Sequence, residues 1–116
     1  MAYHSYIEFR GARRLEADGA LDVLANTLGV WAGREQGALA SWLMQTSKRW
    51  VDHIAGMPPG LRDLVLDADV KTDEQREYLS RAIREVQEEG QKTRPAFLAS
   101  LCNDVLEVLG EKSPTP

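Results

Sequence analysis

Several features that define whole classes of protein are scarce in this 116-residue sequence. Its single cysteine, Cys102, excludes a disulfide within the chain and favours a reducing compartment. No run of about 18 apolar residues is present, so nothing predicts a membrane span. The first five residues lack the charged and apolar regions of a signal peptide. We therefore expect a cytoplasmic protein that makes no contact with a membrane.

Aromatic residues are also few, with two Phe, three Tyr and three Trp, and alanine and leucine are the commonest residues. This balance favours helices over sheets. A chain of this length forms one domain around one core. We predict an all-α fold, a compact antiparallel bundle of four to five helices. In this prediction residues 1–17 are an N-terminal arm or short helix, 18–110 form the helical bundle and 111–116 form a flexible tail.

The charge is unevenly spread along the chain. The net charge is −4, and residues 63–116 carry seven basic and twelve acidic residues. A nucleic-acid-binding domain usually presents a basic stripe, which this half lacks. The one local basic cluster is Arg10, Arg13 and Arg14. We do not expect nucleic acid as the main partner, and weak binding through this cluster with Lys48 and Arg49 is our second alternative function.

The N-terminal residues carry two overlapping patterns. Tyr3, Ser5, Ile7 and Phe9 alternate with other residues at the period of a strand, but a helical face can also be drawn through residues 3–10. A lone strand in a helical chain would have no partner. We therefore expect either a short helix or an extended arm packed on the bundle.

The rest of the chain shows apolar seams at helical spacing, separated by helix start and stop signals. Thr72 followed by Gln75 predicts a capping box at the start of one helix. The predicted helices begin near Asp18, near Arg34 or Glu35, around Leu61–Leu66, after Thr72, and near Thr93, and the last two end at Gly90 and Gly110.

Three glycines spaced four apart, Gly29, Gly33 and Gly37, share one face if a single helix runs through them. A stripe without side chains would let another backbone, such as a helix of a second copy, approach closely. Alternatively, the helix breaks near Gly33, because glycine commonly ends helices and costs about 1 kcal/mol inside them. The sequence leaves both alternatives open.

The three tryptophans differ in their surroundings. We expect Trp31 and Trp42 in the core. Trp50 lies at the edge of its apolar face beside Lys48 and Arg49, so we predict that it is partly exposed, as aromatic residues at binding sites often are. Our candidate partner-binding residues are Trp50, Lys48, Arg49, Gly29, Gly33 and Gly37.

Two acidic pairs stand three residues apart on the last two predicted helices: Glu85 with Glu88, and Asp104 with Glu107. They resemble the paired acids with which helical nucleotide pyrophosphatases of the MazG type hold magnesium, although the second pair is in reversed order. Helical geometry turns each pair by about 100° from the apolar stripe of its helix, whereas a magnesium site needs converging carboxylates. We predict no metal site, and a small divalent-metal-dependent hydrolase remains the alternative function.

The remaining reactive residues form no catalytic pattern. Cys102 lies on an apolar stripe, where a free cysteine packs as a small apolar residue. His4 and His53 stand at no spacing that predicts a zinc site or a nucleophile. We therefore predict no catalytic residue and no cofactor. The favoured function is a non-enzymatic protein–protein interaction module: an adaptor, a regulatory subunit or a small inhibitory protein whose partner is another protein or a second copy.

Overall fold

The computed structural model describes residues 3–90 and 95–110. It opens with a β-hairpin of strands β1 (His4–Phe9) and β2 (Ala12–Ala17), which pair antiparallel from Phe9 with Ala12 to His4 with Ala17. The turn consists of Arg10 and Gly11, both with positive φ (50° and 84°). Two positive φ values define a type I′ turn, whose twist matches that of the paired strands.

A third strand completes the sheet and overturns the all-α prediction. Strand β3 (Leu64–Val65) pairs parallel with β1, so the strand order is β2-β1-β3. The residues that the structure describes form a three-stranded mixed sheet and are 65% helical, so the chain is an α+β fold and not a helical bundle. The partner of β1 is β2, whose charged residues show no apolar alternation. The predicted helix around Leu61–Leu66 is also wrong, because β3 and a 3-10 turn (Leu66–Ala68) lie there.

Within residues 3–90 and 95–110, four α-helices follow the expected seams. Of the two alternatives for the glycines, the structure has the break near Gly33 and not the single helix through all three. The capping box is also confirmed, since the Gln75 backbone N–H donates to Thr72 Oγ1 at 3.1 Å. The predicted tail, 111–116, lies outside the described residues. The helices are α1 (Asp18–Gly33), α2 (Ala38–Gly56), α3 (Asp73–Gly90) and α4 (Pro95–Val108).

The core lies between the helices and one face of the sheet. Ile7 and Leu64 of the sheet meet Leu28, Ile83 and Val105 of the helices around a void of only about 10 Å³. A void of this size hardly holds one water, so the helices fill this side of the sheet completely. None of the helices in the described ranges is both long and apolar enough to cross a membrane.

Candidate interaction surface

The other face of the sheet carries large apolar side chains that no described residue covers. Tyr6 of β1 and Leu15 of β2 are cross-strand partners, and they are 37% and 53% exposed. Val65 of β3 is 47% exposed and pairs with Glu8. Side chains alternate between the two faces of a sheet, so these residues share one side. We call this side the outer face, formed by His4, Tyr6, Glu8, Arg13, Leu15 and Val65.

Arg13 is held in place on the outer face by two neighbouring side chains. Its guanidinium lies over the Tyr6 ring, 4.0 Å from the centroid, and its Nε is 3.4 Å from Glu8 Oε1. Stacking on an aromatic ring leaves the in-plane N–H groups of an arginine free to meet another acceptor. The outer face therefore combines an apolar surface with a fixed cation.

Carboxylates from the 57–69 segment hold the sheet in place. Asp63 Oδ1 accepts the Tyr6 backbone N–H at 2.7 Å, and Asp67 accepts the Arg10 backbone N–H at 2.9 Å. The bond to Asp67 stabilises Arg10 at a positive φ. A residue other than glycine adopts this conformation at a cost in energy, which contacts with the surrounding structure must offset. These bonds fix both the turn and the backbone beneath Tyr6.

Buried Asp18 ties the hairpin to the loop before β3. Its carboxylate accepts hydrogen bonds from the Ser5 hydroxyl and from the Gly60 backbone N–H. Burial alone would raise the pKa of Asp18, but these two hydrogen bonds, together with the charges of Arg62 and His4, outweigh burial and the pKa falls. Asp18 does not cap α1, because Ala17 occupies the N-cap position and makes no side-chain cap hydrogen bond. No local pattern marks the tie, since Ser5 and Gly60 are distant in the chain.

The inward side of β2 meets α4 through charged residues. Arg14 forms an ion pair with Glu107. Burial raises the pKa of Glu16 to about 8, and neighbouring Asp104 adds to the effect. One oxygen of the Glu16 carboxyl, Oε1, is buried without a hydrogen-bond partner. The Glu16 carboxyl therefore keeps its proton to a higher pH than an exposed glutamate does.

A second apolar surface lies between α1 and α2. Val30 and Met44 are 64% and 45% exposed, and they flank a groove of about 320 Å³ whose wall includes Lys48. The two helices approach closely at its floor, where a Cβ on Gly29 would lie 2.8 Å from Ser47 Oγ. A side chain at position 29 would therefore crowd α2 of the same chain. The groove contains two of the predicted partner-binding residues, Gly29 and Lys48.

The other four predicted partner-binding residues do not line this groove. Trp50 is only 5% exposed and donates to Asp69 Oδ2 at 2.9 Å, so the expectation that it is partly exposed is wrong. Its indole N–H finds its partner inside the molecule. Arg49 pairs with the other oxygen of Asp69 at 3.1 Å. Gly33 ends α1, and Gly37, with φ of 109°, precedes α2.

The acidic pairs of the MazG-type resemblance do not converge. Glu85 is paired with Arg81 on its own helix at 2.9 Å, whereas Asp104 and Glu107 face β2. Within the described ranges, no three His, Cys, Asp or Glu side chains are grouped to hold a metal ion.

The predicted basic cluster is matched by acids. Arg10 lies 3.8 Å from Asp73, and Arg13 and Arg14 have the partners described above. These pairs are exposed, and each contributes little to stability. Their effect is to neutralise the positive charge that a phosphate backbone would need.

Sequence reasoning missed the outer face because it missed the hairpin. The available signal was Gly11, placed two residues after the alternation of Ser5, Ile7 and Phe9 ends. Two-residue turns with glycine in this position are typical of hairpins. Comparisons with protein-family models, with curated proteins and with solved structures each find no match to the chain. Only the geometry of the chain itself therefore points to a function.

Proposed function

We propose that this chain is a non-enzymatic protein–protein interaction module, acting as an adaptor, regulatory subunit or small inhibitory protein, and that the outer face is its binding surface. The observation that carries the proposal is the exposure of Tyr6, Leu15 and Val65 on three neighbouring strands. The uncovered face of a sheet is normally polar. Apolar side chains grouped on a surface mark interaction sites.

The residue types on the outer face suit a protein partner. Tyrosine and arginine are enriched at interfaces, where one side chain supplies both apolar area and a polar group. Arg13 is already ordered by Tyr6 and Glu8, so binding costs little side-chain entropy. The expected partner presents apolar side chains to Tyr6 and Leu15, and a carboxylate to Arg13.

The α1–α2 groove is the competing surface. It has exposed apolar walls at Val30 and Met44 and a cation at Lys48, but no aromatic side chain lines it. The divalent-metal hydrolase and the nucleic-acid binder have less support, because their acids and bases are paired or dispersed. We keep a cytoplasmic location in the proposal, since Cys102 is a buried free thiol.

Two matched double variants test the choice of surface in the tagged full-length chain. One combines Tyr6→Ser with Leu15→Ser, and the other combines Val30→Ser with Met44→Ser in the groove. All four side chains are exposed, so we expect both proteins to fold, and circular dichroism checks this. Each large apolar side chain that a partner buries contributes about 1–3 kcal/mol. We expect the sheet variant to lose at least about tenfold in affinity for a co-purified protein.

The groove variant should bind that protein like the wild type. The proposal fails if the groove variant alone loses the partner or if both variants keep it. It also fails if no polypeptide other than the chain itself is recovered from cells that make the protein natively. A differently tagged copy of the chain is followed separately, so that self-association is not mistaken for a partner.

A further inference from the structure

Strand β2 has a hydrogen-bonding edge to which no residue in the described ranges is bonded. In the hairpin, the backbone N–H of Asp18 donates to the Tyr3 carbonyl at 3.0 Å, which fixes the alternation of the ladder. Residues 12, 14 and 16 therefore exchange hydrogen bonds with β1. The backbone groups of Arg13, Leu15 and Ala17 point the opposite way. Since the strand order is β2-β1-β3, no described strand pairs with that edge.

We propose that β2 pairs antiparallel with β2 of a second copy, joining two three-stranded sheets into one of six strands around a two-fold axis at Leu15. In this register Leu15 exchanges backbone hydrogen bonds with Leu15 of the second copy, and Arg13 does so with Ala17. Arg14 then stands opposite Glu16 of the second copy, twice. This interface uses the backbone edge of β2, whereas the proposed partner site uses side chains of the outer face; Leu15 contributes its backbone to the first and its side chain to the second.

Charge selects this register among those that the edge allows. Only every second residue, 13, 15 and 17, has backbone groups on this edge. The second copy can therefore slide along β2 only in steps that leave these residues opposite one another. One shift places Arg14 opposite Arg14, and the other places Glu16 opposite Glu16. Directly opposed like charges destabilise a strand pair, whereas opposite charges stabilise it. Only the register centred on Leu15 matches Arg14 with Glu16.

The pairing also enlarges the outer face. A two-fold axis perpendicular to the sheet keeps both outer faces on one side, with the two Leu15 side chains as direct cross-strand neighbours. The apolar surfaces of the two copies thus become continuous. An exposed edge strand is a ready template for such pairing.

The pairing should respond to pH through Glu16. The charged groups around its carboxyl are Arg14 on β2 and Asp104 on α4, and His4 lines the same pocket. The pKa of Glu16 is raised to about 8 in the single chain, and a second copy's Arg14 favours its ionised form. Pairing therefore releases a proton below pH 8, so association should strengthen as pH rises from 6 to 8.

A charge-swap experiment tests the register in the full-length chain. Light scattering across a range of concentrations measures association of the wild type, of Arg14→Glu and of Glu16→Arg. Each variant alone would oppose like charges twice, and at about 0.2–1 kcal/mol per cross-strand pair we expect association about tenfold weaker. An equimolar mixture of the two variants restores both opposite pairs, so it should form a heterodimer. Recovery in the mixture also shows that both variants fold.

A backbone variant tests the edge without changing its charges. Ala17 has φ of −64°, which suits proline, and its N–H faces away from β1. Ala17→Pro should therefore fold normally and weaken association, whereas Ala17→Ser, which keeps the N–H, should associate like the wild type. A wild type that is monomeric at all concentrations overturns the proposal, as does a mixture that associates no better than its components. Neither of these two results tests the proposed partner site on the outer face, because none of these proteins changes Tyr6 or Leu15.

Discussion

Replacing Gly29 by alanine tests the packing of α1 against α2. The added Cβ would lie 2.8 Å from Ser47 Oγ, closer than carbon and oxygen can approach. To make room, the hydroxyl must leave its hydrogen bond to the Met44 carbonyl, which measures 3.0 Å. Losing that bond costs about 1 kcal/mol, which offsets the gain of about 1 kcal/mol from replacing glycine in a helix. With some added crowding, we expect a net destabilisation of about 0–1 kcal/mol.

Two comparisons isolate the contact. Gly19 lies in the same helix, and a Cβ added to it would have no atom within 4 Å, so Gly19→Ala should stabilise by about 0.5–1 kcal/mol. In a Ser47→Ala background, Gly29→Ala meets only the Cβ of residue 47, at 3.7 Å, and should become stabilising as well. Urea unfolding of the single and double variants measures the coupling, expected at about 1 kcal/mol. The reasoning is refuted if Gly29→Ala stabilises the wild-type chain as much as Gly19→Ala.

Three further predictions concern buried ionisable groups. The folded state holds a proton on Glu16 up to about pH 8, whereas the unfolded chain releases it near pH 4.3, so stability should fall as pH rises from 5 to 8. Urea unfolding measures this decrease in the free energy of unfolding. Because the carboxyl is partly solvated, Glu16→Gln should make the decrease smaller by about 1–2 kcal/mol. The same dependence on pH in Glu16→Gln and the wild type would contradict this. Asp18→Ala leaves the Ser5 hydroxyl and the Gly60 N–H without their carboxylate acceptor, so it should lower the free energy of unfolding by about 2–4 kcal/mol. A loss under 1 kcal/mol would contradict the role of Asp18 in joining the hairpin to the loop before β3. Burial raises the pKa of Cys102 to about 12, so a thiol reagent should label it only as the chain unfolds, and fast labelling of folded protein would contradict its burial.

The helices could be predicted because each carries its own signals. The capping pair Thr72–Gln75 and the break at Gly33 depend on residues close in sequence. The sheet could not be predicted in the same way. Strand β3 has two residues, and β2 is an edge strand whose residues Ala12 to Leu15 are all exposed, so neither shows an apolar alternation.

The candidate surface was missed for the same reason. Its apolar members come from three strands that are brought together only by pairing, so no local pattern marks them. Trp50 was misplaced because its partner, Asp69, lies 19 residues away. Gly29 was singled out correctly as a site of close approach, but the approaching helix is α2 of the same chain. Patterns of local spacing cannot distinguish an internal neighbour from an external one.

Site-specific photo-crosslinking tests most directly whether the sheet is the interacting side of the molecule. A photoreactive phenylalanine analogue replaces Tyr6 or Leu15 on the outer face, and Val30 or Met44 in the α1–α2 groove as matched controls. We predict that illumination of cells that make the protein natively gives a discrete adduct with another protein from positions 6 and 15 alone. Adducts from positions 30 and 44 without any from 6 and 15 would contradict the account and assign binding to the helices.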